Sequence, residues 1–247
     1  MSVADHLATL SPGANVWIIG MGKTGLSMAH FCKQKNWLVH VVDSREHPPL
    51  KRNWETMSQI CIHEDIDAIP QHATVFMSSS LSPHHPWMVR LQALNCRFIT
   101  ELDLFAEYNN RPVLAVTGTN GKTTTCHMLH QILTQCGVKS CMIGNSGTPL
   151  LDGLNNLPEV WVMELSSYQC HWLTQRIASV AVVLNIEPDH LDWHGSMAHY
   201  TAAKKHLLNH TKSSLMWAKS HVLKSTKSSY ALTDDGCGVL RDGVHLT

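Results

Sequence analysis

The sequence predicts an α/β protein: a Rossmann-like parallel-sheet N-terminal domain followed by a P-loop-type α/β central domain. Three observations carry that expectation. Short apolar runs alternate with helix-length stretches, the rhythm of βαβ units. Two glycine-rich turns, at 20–25 and 118–123, each follow an apolar run and open a helical stretch. The 247 residues are 44% hydrophobic and 15% charged, enough apolar material to bury a core and too little charge for wholesale disorder.

Residues 15–19 (NVWII) form the first expected strand, and the turn behind it leads into a helix over 26–35. Residues 37–42 (WLVHVV) make the next strand, which ends at Asp43; 73–77 and 97–99 are further strands. These elements define a first domain over 1–100. The second is expected over 101–247. It opens with a helical stretch, LDLFAEYNN, broken at Arg111-Pro112. Residues 113–116 (VLAV) are a strand, and 122–136 a helix closed by Gly137. The apolar runs 160–163 and 180–184 read as central buried strands, and 197–210 as a helix. Beyond it the pattern weakens, and 213–230 is rich in Ser and Lys.

Composition narrows the function classes. Lys+Arg and Asp+Glu both number 19, so no basic surplus exists to attract nucleic acid. The 18 histidines are scattered rather than gathered in a tag. The eight cysteines form no CxxC pair, which favours reduced, mostly buried thiols over a zinc knuckle. No run approaches the roughly 20 apolar residues of a membrane span, and the first residues lack a leader pattern; a cytoplasmic location is the expectation.

Gly20-Met21-Gly22-Lys23-Thr24-Gly25 has the GxGxxG context, in which glycines let backbone amides meet a pyrophosphate at a helix N-terminus. Asp43, at the end of the next strand, stands at the right distance to meet a ribose or base. A tight turn without ligand would read the same way. Gly118-Thr119-Asn120-Gly121-Lys122-Thr123 is more specific. Its amides can cradle phosphate oxygens, Lys122 brings charge to the β/γ-phosphates, and the Thr123 hydroxyl can bind Mg²⁺. The loop is GxxGKT, since Val116 stands where the usual GxxxxGK[ST] pattern has its first glycine.

Strand 160–163 runs into Glu164, and strand 180–184 into Asn185-Ile186-Glu187-Pro188-Asp189-His190-Leu191-Asp192-Trp193-His194. The C-terminal ends of parallel strands face the ligand crevice, so Glu164 and this carboxylate–imidazole segment belong to the phosphate-loop edge. Hard oxygen donors beside a phosphate favour Mg²⁺ over zinc. Taken alone, Lys204 reads as a solvated helix lysine and Asn145 as a turn residue bonding its own backbone.

In this order, GTNGKTT at 118–124, ELSSYQ at 164–169, and NIEPDHLDWHGS at 185–196 followed by YTAAK at 200–204 resemble the Mur ligases. ELSSYQ, with GMGKTGLS at 20–27 and VDSR at 42–45, is similar to the D-glutamate-adding branch of that family. The resemblance implies an ATP-dependent ligase of peptidoglycan precursor synthesis. ATP and Mg²⁺ would be its cofactors, and UDP-N-acetylmuramoyl-L-alanine and D-glutamate its partners. It implies ATP contacts at Gly118, Thr119, Asn120, Gly121, Lys122, Thr123 and Thr124. Thr123, Glu164, His190 and a carbamylated Lys204 would organise Mg²⁺, and Lys122, Glu164, His190 and Lys204 would carry catalysis. Lys23, Thr24, Asp43, Ser44 and Arg45 would hold uridine diphosphate, with Asn145 and His190 near the muramoyl-peptide end.

Departures stand beside the matches. Ser78-Ser79-Ser80-Leu81 replaces a Ser-Pro-Gly turn, Trp193 stands for a usual arginine, and Cys170 for a usual leucine. The family's adenine-contacting segment and third domain have no counterpart before Thr247. The expectation is therefore an incomplete central domain and a chain nearly inactive by itself. Competing readings are a nucleotide-binding redox or regulatory protein, a non-catalytic precursor-binding fragment, and a folylpolyglutamate synthase relative. The first leaves the 118–124 loop unexplained, and the last would lack the uridine-site residues.

Overall fold

A computed structural model describes residues 2–48 and 50–216 and, beyond them, the strand backbones 229–232, 239–241 and 244–246; side chains are described through Lys212. The chain divides into two compact units, residues 1–109 with 149–155, and residues 110–148 with 156–247. The expected Ser- and Lys-rich stretch 213–230 lies largely outside the described residues.

The first unit runs α1 (Val3–Thr9), β1 (Asn15–Ile19), α2 (Lys23–Gln34), β2 (Leu38–Val42), α3 (Lys51–Glu55), β3 (Ile60–His63), β4 (Thr74–Met77), α4 (Pro86–Ala93), β5 (Arg97–Thr100) and α5 (Glu101–Tyr108). The strands pair in the order β3-β2-β1-β4-β5, all parallel. Val16, Ile18, Val41, Val75 and Phe76 are wholly buried in the sheet. Each such side chain contributes about 1.5–3 kcal/mol on leaving water. Helix α2 begins at Lys23, three residues before the expected start, because the glycine turn feeds straight into it. Gly25 explains that closeness: a Cβ there would collide with the Gly20 carbonyl.

The second unit contains β6 (Val113–Thr117), α6 (Lys122–Gln135) and β7 (Ser140–Gly144). The next helix, α7 (Leu150–Gly153), belongs to the first unit. The second unit then continues with β8 (Val160–Glu164), α8 (Ser167–His171), β9 (Ala178–Val183), α9 (Leu191–His194), α10 (Met197–Asn209) and β10 (Thr211–Met216), followed by the short strands β11 (Ser229–Leu232), β12 (Val239–Arg241) and β13 (Val244–Leu246). Its sheet order is β13-β12-β11-β10-β9-β6-β8-β7. Pairing is parallel from β7 to β11 and antiparallel for the last two strands. Val116, Cys126 and Val162 form a buried cluster with Leu129, Leu133 and Leu184 against it, which seats α6 on the sheet. That seat fixes the loop between β6 and α6 at the C-terminal edge of the central strand.

The thiols differ in part from expectation. The seven described cysteines are free, but only Cys32, Cys126 and Cys170 are buried. Cys61 is exposed on β3, at the end of the sheet order, and Cys136 is exposed at the end of α6.

Candidate active site

The loop after β6 is held open by its neighbours. Thr119 N donates to the Asn185 carbonyl at 3.0 Å and Asn120 N to the Asn185 side-chain oxygen at 2.8 Å; Asn185 Nδ2 returns a bond to the Asn120 carbonyl. Thr119 Oγ1 accepts from Glu187 N at 2.9 Å and lies 2.8 Å from the Tyr200 hydroxyl. Gly121 caps α6 in the left-handed region at φ 82°, a conformation that costs other residues about 1–2 kcal/mol. Its cap carries no side-chain hydrogen bond. The helix therefore begins with a positive end available to an anion.

Lys122 folds its ammonium back over the loop, donating to the Gly118 and Thr119 carbonyls, each at 2.9 Å. Lys204 reaches the same Gly118 carbonyl from α10, at 2.8 Å, and is only 2% exposed. Burial is the main cause that pushes its pKa down from 10.5 to about 8; Cys170 opposes the shift and the Lys122 charge adds to it. Lys204 is thus not the solvated helix lysine its position on a helix suggested.

Glu164, at the end of β8, is 2% exposed. Thr123 Oγ1 donates to its Oε2 at 2.8 Å, the Ser146 hydroxyl donates to the same oxygen, and Asn145 Nδ2 donates to Oε1 at 3.0 Å. These are neutral donors around a buried carboxylate. Burying an anion without a cation is costly, so the arrangement suits a divalent cation with hard oxygen ligands, drawn from Glu164 and Thr123. Among the described residues no group of three His, Cys, Asp or Glu gathers as a ready-made metal cage.

The structure brings Thr123, Glu164 and Asn145 together, and Lys122 with Lys204. It places His190 differently. His190 opens α9 in the left-handed region at φ 50°, lies 3.4 Å from Asp189, and tilts against the Tyr168 ring at 4.9 Å. His194 turns inward, its Nε2 3.0 Å from the Ser167 hydroxyl, and burial lowers its pKa to about 4. The 190–194 segment therefore does not present its two imidazoles as a zinc pair. Thr124 is exposed on the first turn of α6.

In the first unit, Asp43 is the hub. Its carboxylate accepts from Met21 N at 2.6 Å, from Arg45 N at 2.9 Å and from the Arg45 guanidinium at 2.8 and 2.6 Å. Burial acts to raise its pKa, but the Arg45 and Met21 hydrogen bonds outweigh it and hold the acid below its ordinary range. Both oxygens are engaged, one of them in closing the glycine turn. Lys23 and Ser44 are exposed beside it, and Thr24 is half-buried in the first turn of α2. Ser78 and Ser80 face each other at 2.9 Å at the end of β4.

Sequence reasoning passed over Ser146, Asn185 and Tyr200. Ser146 follows Asn145 in the same turn. Asn185 heads the segment 185–196, and Tyr200 starts YTAAK. Asn185 and Tyr200 lie inside stretches that carry the resemblance and Ser146 beside Asn145, but none carries a separate signal until the fold brings it to Glu164 or the loop.

The family description "Mur ligase MurD-like, N-terminal domain" matches residues 14–100, and "Mur ligase middle domain" matches residues 116–234. The chain belongs to the Mur ligase family. It is 34% identical over 191 residues to the UDP-N-acetylmuramoylalanine–D-glutamate ligase of Pseudomonas syringae pv. tomato, covering 76% of this chain and 43% of that protein. It is 41% identical over 223 residues to the enzyme of the same name from Albidiferax ferrireducens, covering 80% of this chain and 44% of the relative. The chain thus spans less than half the length of these curated relatives. Among solved structures it is similar to a pseudomurein peptide ligase type C from Methanothermus fervidus, at 26% identity and TM-score 0.39, with 83% and 44% of the two chains covered. It is also similar to a MurF ligase from Thermotoga maritima in complex with ADP, at 17% identity and TM-score 0.40, with 84% and 43% covered. No helix among the described residues is long and apolar enough to cross a membrane.

Proposed function

We propose that this chain provides the precursor-binding and ATP-binding parts of a ligase that joins D-glutamate to UDP-N-acetylmuramoyl-L-alanine in the cytoplasm. The observation that carries the reading is the buried Glu164 carboxylate bonded to Thr123 at the head of α6, directly behind the phosphate loop. A carboxylate is a poor electrophile, so amide formation needs activation. ATP would pass its γ-phosphoryl group to the L-alanyl carboxylate. The amine of D-glutamate would then attack the acyl carbon, and phosphate would leave as the amide forms.

The chain's own groups suit these steps. The free amides of the first turn of α6 would receive phosphate oxygens. Lys122 would exchange its two carbonyl bonds for the β/γ-phosphates, where its charge opposes the charge that builds on the phosphoryl group. Glu164 and Thr123 would hold Mg²⁺, with His190 joining only after leaving Asp189 and Tyr168; the ion when bound offsets charge on the phosphoryl oxygens. Lys204, with its lowered pKa, is partly neutral near pH 8 and so can add to CO₂: the ammonium first gives up one proton, the amine nitrogen then bonds the CO₂ carbon as one C=O π bond opens onto oxygen, and the nitrogen releases a second proton to solvent, leaving a carbamate anion suited to the metal site. Asn145, now on Glu164, would orient the peptide end of the precursor.

In the first unit, Lys23, Thr24, Ser44 and Arg45 would hold the uridine diphosphate, with Asp43 fixing Arg45 and the glycine turn. The engaged Asp43 carboxylate supports this reading over a dinucleotide one, which would need it for a ribose diol. The Ser78 and Ser80 hydroxyls would serve the diphosphate where relatives carry a different turn. Calorimetry of this chain with three ligands is the test. UDP-N-acetylmuramoyl-L-alanine and Mg²⁺·ATP should bind and NADH should not. Tight NADH binding with no response to the UDP ligand overturns the assignment.

A further inference from the structure

Trp193, which stands for a usual arginine, packs inward and is 8% exposed. Its ring stacks on Tyr168 with centroids 4.7 Å apart at 31°. Tyr168 also carries the His190 ring, 4.9 Å away and tilted by 53°, and the His194 ring at 5.8 Å and 29°. One phenol ring of α8 thus gathers three aromatic side chains of α9 and its cap. The proposed ligase reaction gives neither Tyr168 nor Trp193 a task.

The phenol ring is tied closely to the Glu164–Thr123 corner. Glu164 ends β8, and α8 begins three residues on, at Ser167. A reciprocal capping box fixes that start: Gln169 N donates to Ser166 Oγ at 3.1 Å, and Ser166 N donates to Gln169 Oε1 at 2.9 Å. Helix α9 is a single turn in which Trp193 N and His194 N donate to the His190 carbonyl at 3.2 and 3.1 Å. His194 Nε2 lies 3.0 Å from the Ser167 hydroxyl and joins the two helices. The platform therefore keeps its place when the His190 side chain turns.

Apart from that ring, the His190 imidazole meets Asp189, its Nε2 3.4 Å from the carboxylate, with the two side chains 47% and 42% exposed. Solvent screens such a pair, and it is an ion pair only when the imidazole is protonated. The His190 backbone sits at φ 50° and ψ 35°, a left-handed conformation that crowds a β-carbon. The ring contact is then the stronger tether of the imidazole. We propose, resting on the reading that His190 serves Mg²⁺, that Tyr168 backed by Trp193 is a positioning residue: it parks His190 away from the Glu164–Thr123 corner and sets the cost of bringing that imidazole to a divalent cation. The platform weakens metal binding, because the imidazole reaches an ion only as the Tyr168 contact is given up.

The test compares the unmodified chain with Tyr168→Leu, Tyr168→Phe and His190→Gln. In the metal-free chain, NMR should find the His190 ring protons displaced from free-histidine positions by the Tyr168 ring current. Tyr168→Leu should return them toward those positions, and Tyr168→Phe should leave them in place. A Mg²⁺ titration at fixed ATP should show binding strengthened about two- to tenfold in Tyr168→Leu, the scale of one aromatic pair, unchanged in Tyr168→Phe and weakened in His190→Gln. His190 signals that ignore Tyr168→Leu overturn the parking role. So does a metal affinity that falls or stays level in Tyr168→Leu while His190→Gln weakens it. Unchanged affinity in His190→Gln overturns the reading of His190 as a ligand, and the proposal with it. Circular dichroism checks that the variants fold. Where Tyr168→Leu fails to fold, the unmodified chain decides: the Tyr168–His190 ring contact, followed as a nuclear Overhauser effect, should vanish when Mg²⁺·ATP is added, and its persistence overturns the proposal.

Discussion

Lys204 donates its ammonium to the Gly118 carbonyl at 2.8 Å, and Lys122 donates to the same oxygen at 2.9 Å. Two cations therefore meet on one carbonyl at the root of the phosphate loop. Their repulsion adds to the burial that lowers the Lys204 pKa. Each has a way out of that conflict: Lys122 by turning to a phosphate, Lys204 by losing its proton.

Burial lowers the Lys204 pKa to about 8. The neutral amine grows as pH rises through that value, and only the neutral amine adds to CO₂. At fixed dissolved ¹³CO₂, a carbamate ¹³C signal should increase between about pH 7 and pH 9, about two units below the range of an ordinary lysine. Lys204→Met, which keeps an unbranched apolar stem beside Tyr200, should lack that signal. A signal that persists in the variant would place the carbamate on another amine.

Lys122 donates to two loop carbonyls and to no other described group, so Lys122→Ala should fold normally. Its charge-assisted bonds to phosphate oxygens are worth roughly 1.5–3 kcal/mol, which is roughly a ten- to hundredfold loss of affinity for Mg²⁺·ATP. Binding of the UDP precursor should change little. Calorimetry with both ligands separates the two effects, and equal loss of both would point to misfolding or to a different role for the loop.

Glu164→Gln keeps the shape of the side chain and removes its charge. One amide end can no longer accept, so about 1 kcal/mol of stability should be lost among the bonds from Thr123, Ser146 and Asn145. The larger effect should be on the metal. The strengthening of ATP binding by Mg²⁺ should fall roughly tenfold or more, the scale of one lost charge-assisted contact. A Mg²⁺ titration at fixed ATP measures it; an unchanged response would move the metal site away from Glu164.

Much of the fold was legible because the central strands are apolar on both faces. NVWII and VLAV announce themselves, and the glycine turns behind them mark the helix starts. The edge strands β3 and β7 were not legible, although the opposite edge of the first sheet, β5, was. Strand β3 (ICIH) alternates apolar and polar residues over only four positions and is largely exposed, and β7 (SCMIG) is short and ends in glycine. At the site, the phosphate loop could be read from residue types because Gly, Lys and Thr together have few other uses. The burial of Lys204 and the turning of His190 toward Tyr168 could not. Both depend on packing between α10, α8 and the loop, which is non-local.

Glu101 was invisible for the same reason, and it yields the sharpest stability prediction. It opens α5, is 5% exposed, and accepts the Leu150 amide at 2.9 Å. Burial is the dominant cause that raises its pKa from 4.5 to about 8, with the Leu150 and Leu151 amides opposing and the Asp152 charge assisting. His30 Nδ1 lies 3.7 Å from Asp152. A folded pKa above the unfolded one means that the folded state holds the proton more tightly. The contribution to stability is then complete below about pH 4.5 and is lost progressively as pH rises to about 8. Above that, the charged carboxylate is buried at full cost, on the order of 5 kcal/mol for a shift from 4.5 to about 8. Glu101→Gln keeps the amide acceptor and cannot ionise, so its stability relative to the unmodified chain should climb from near zero at about pH 4.5 to that amount at about pH 8. Urea denaturation at five pH values across this window measures the difference. A difference that stays flat, or that shrinks as pH rises, would mean that Glu101 is ionised in the native state and held by the α7 amides as an anion.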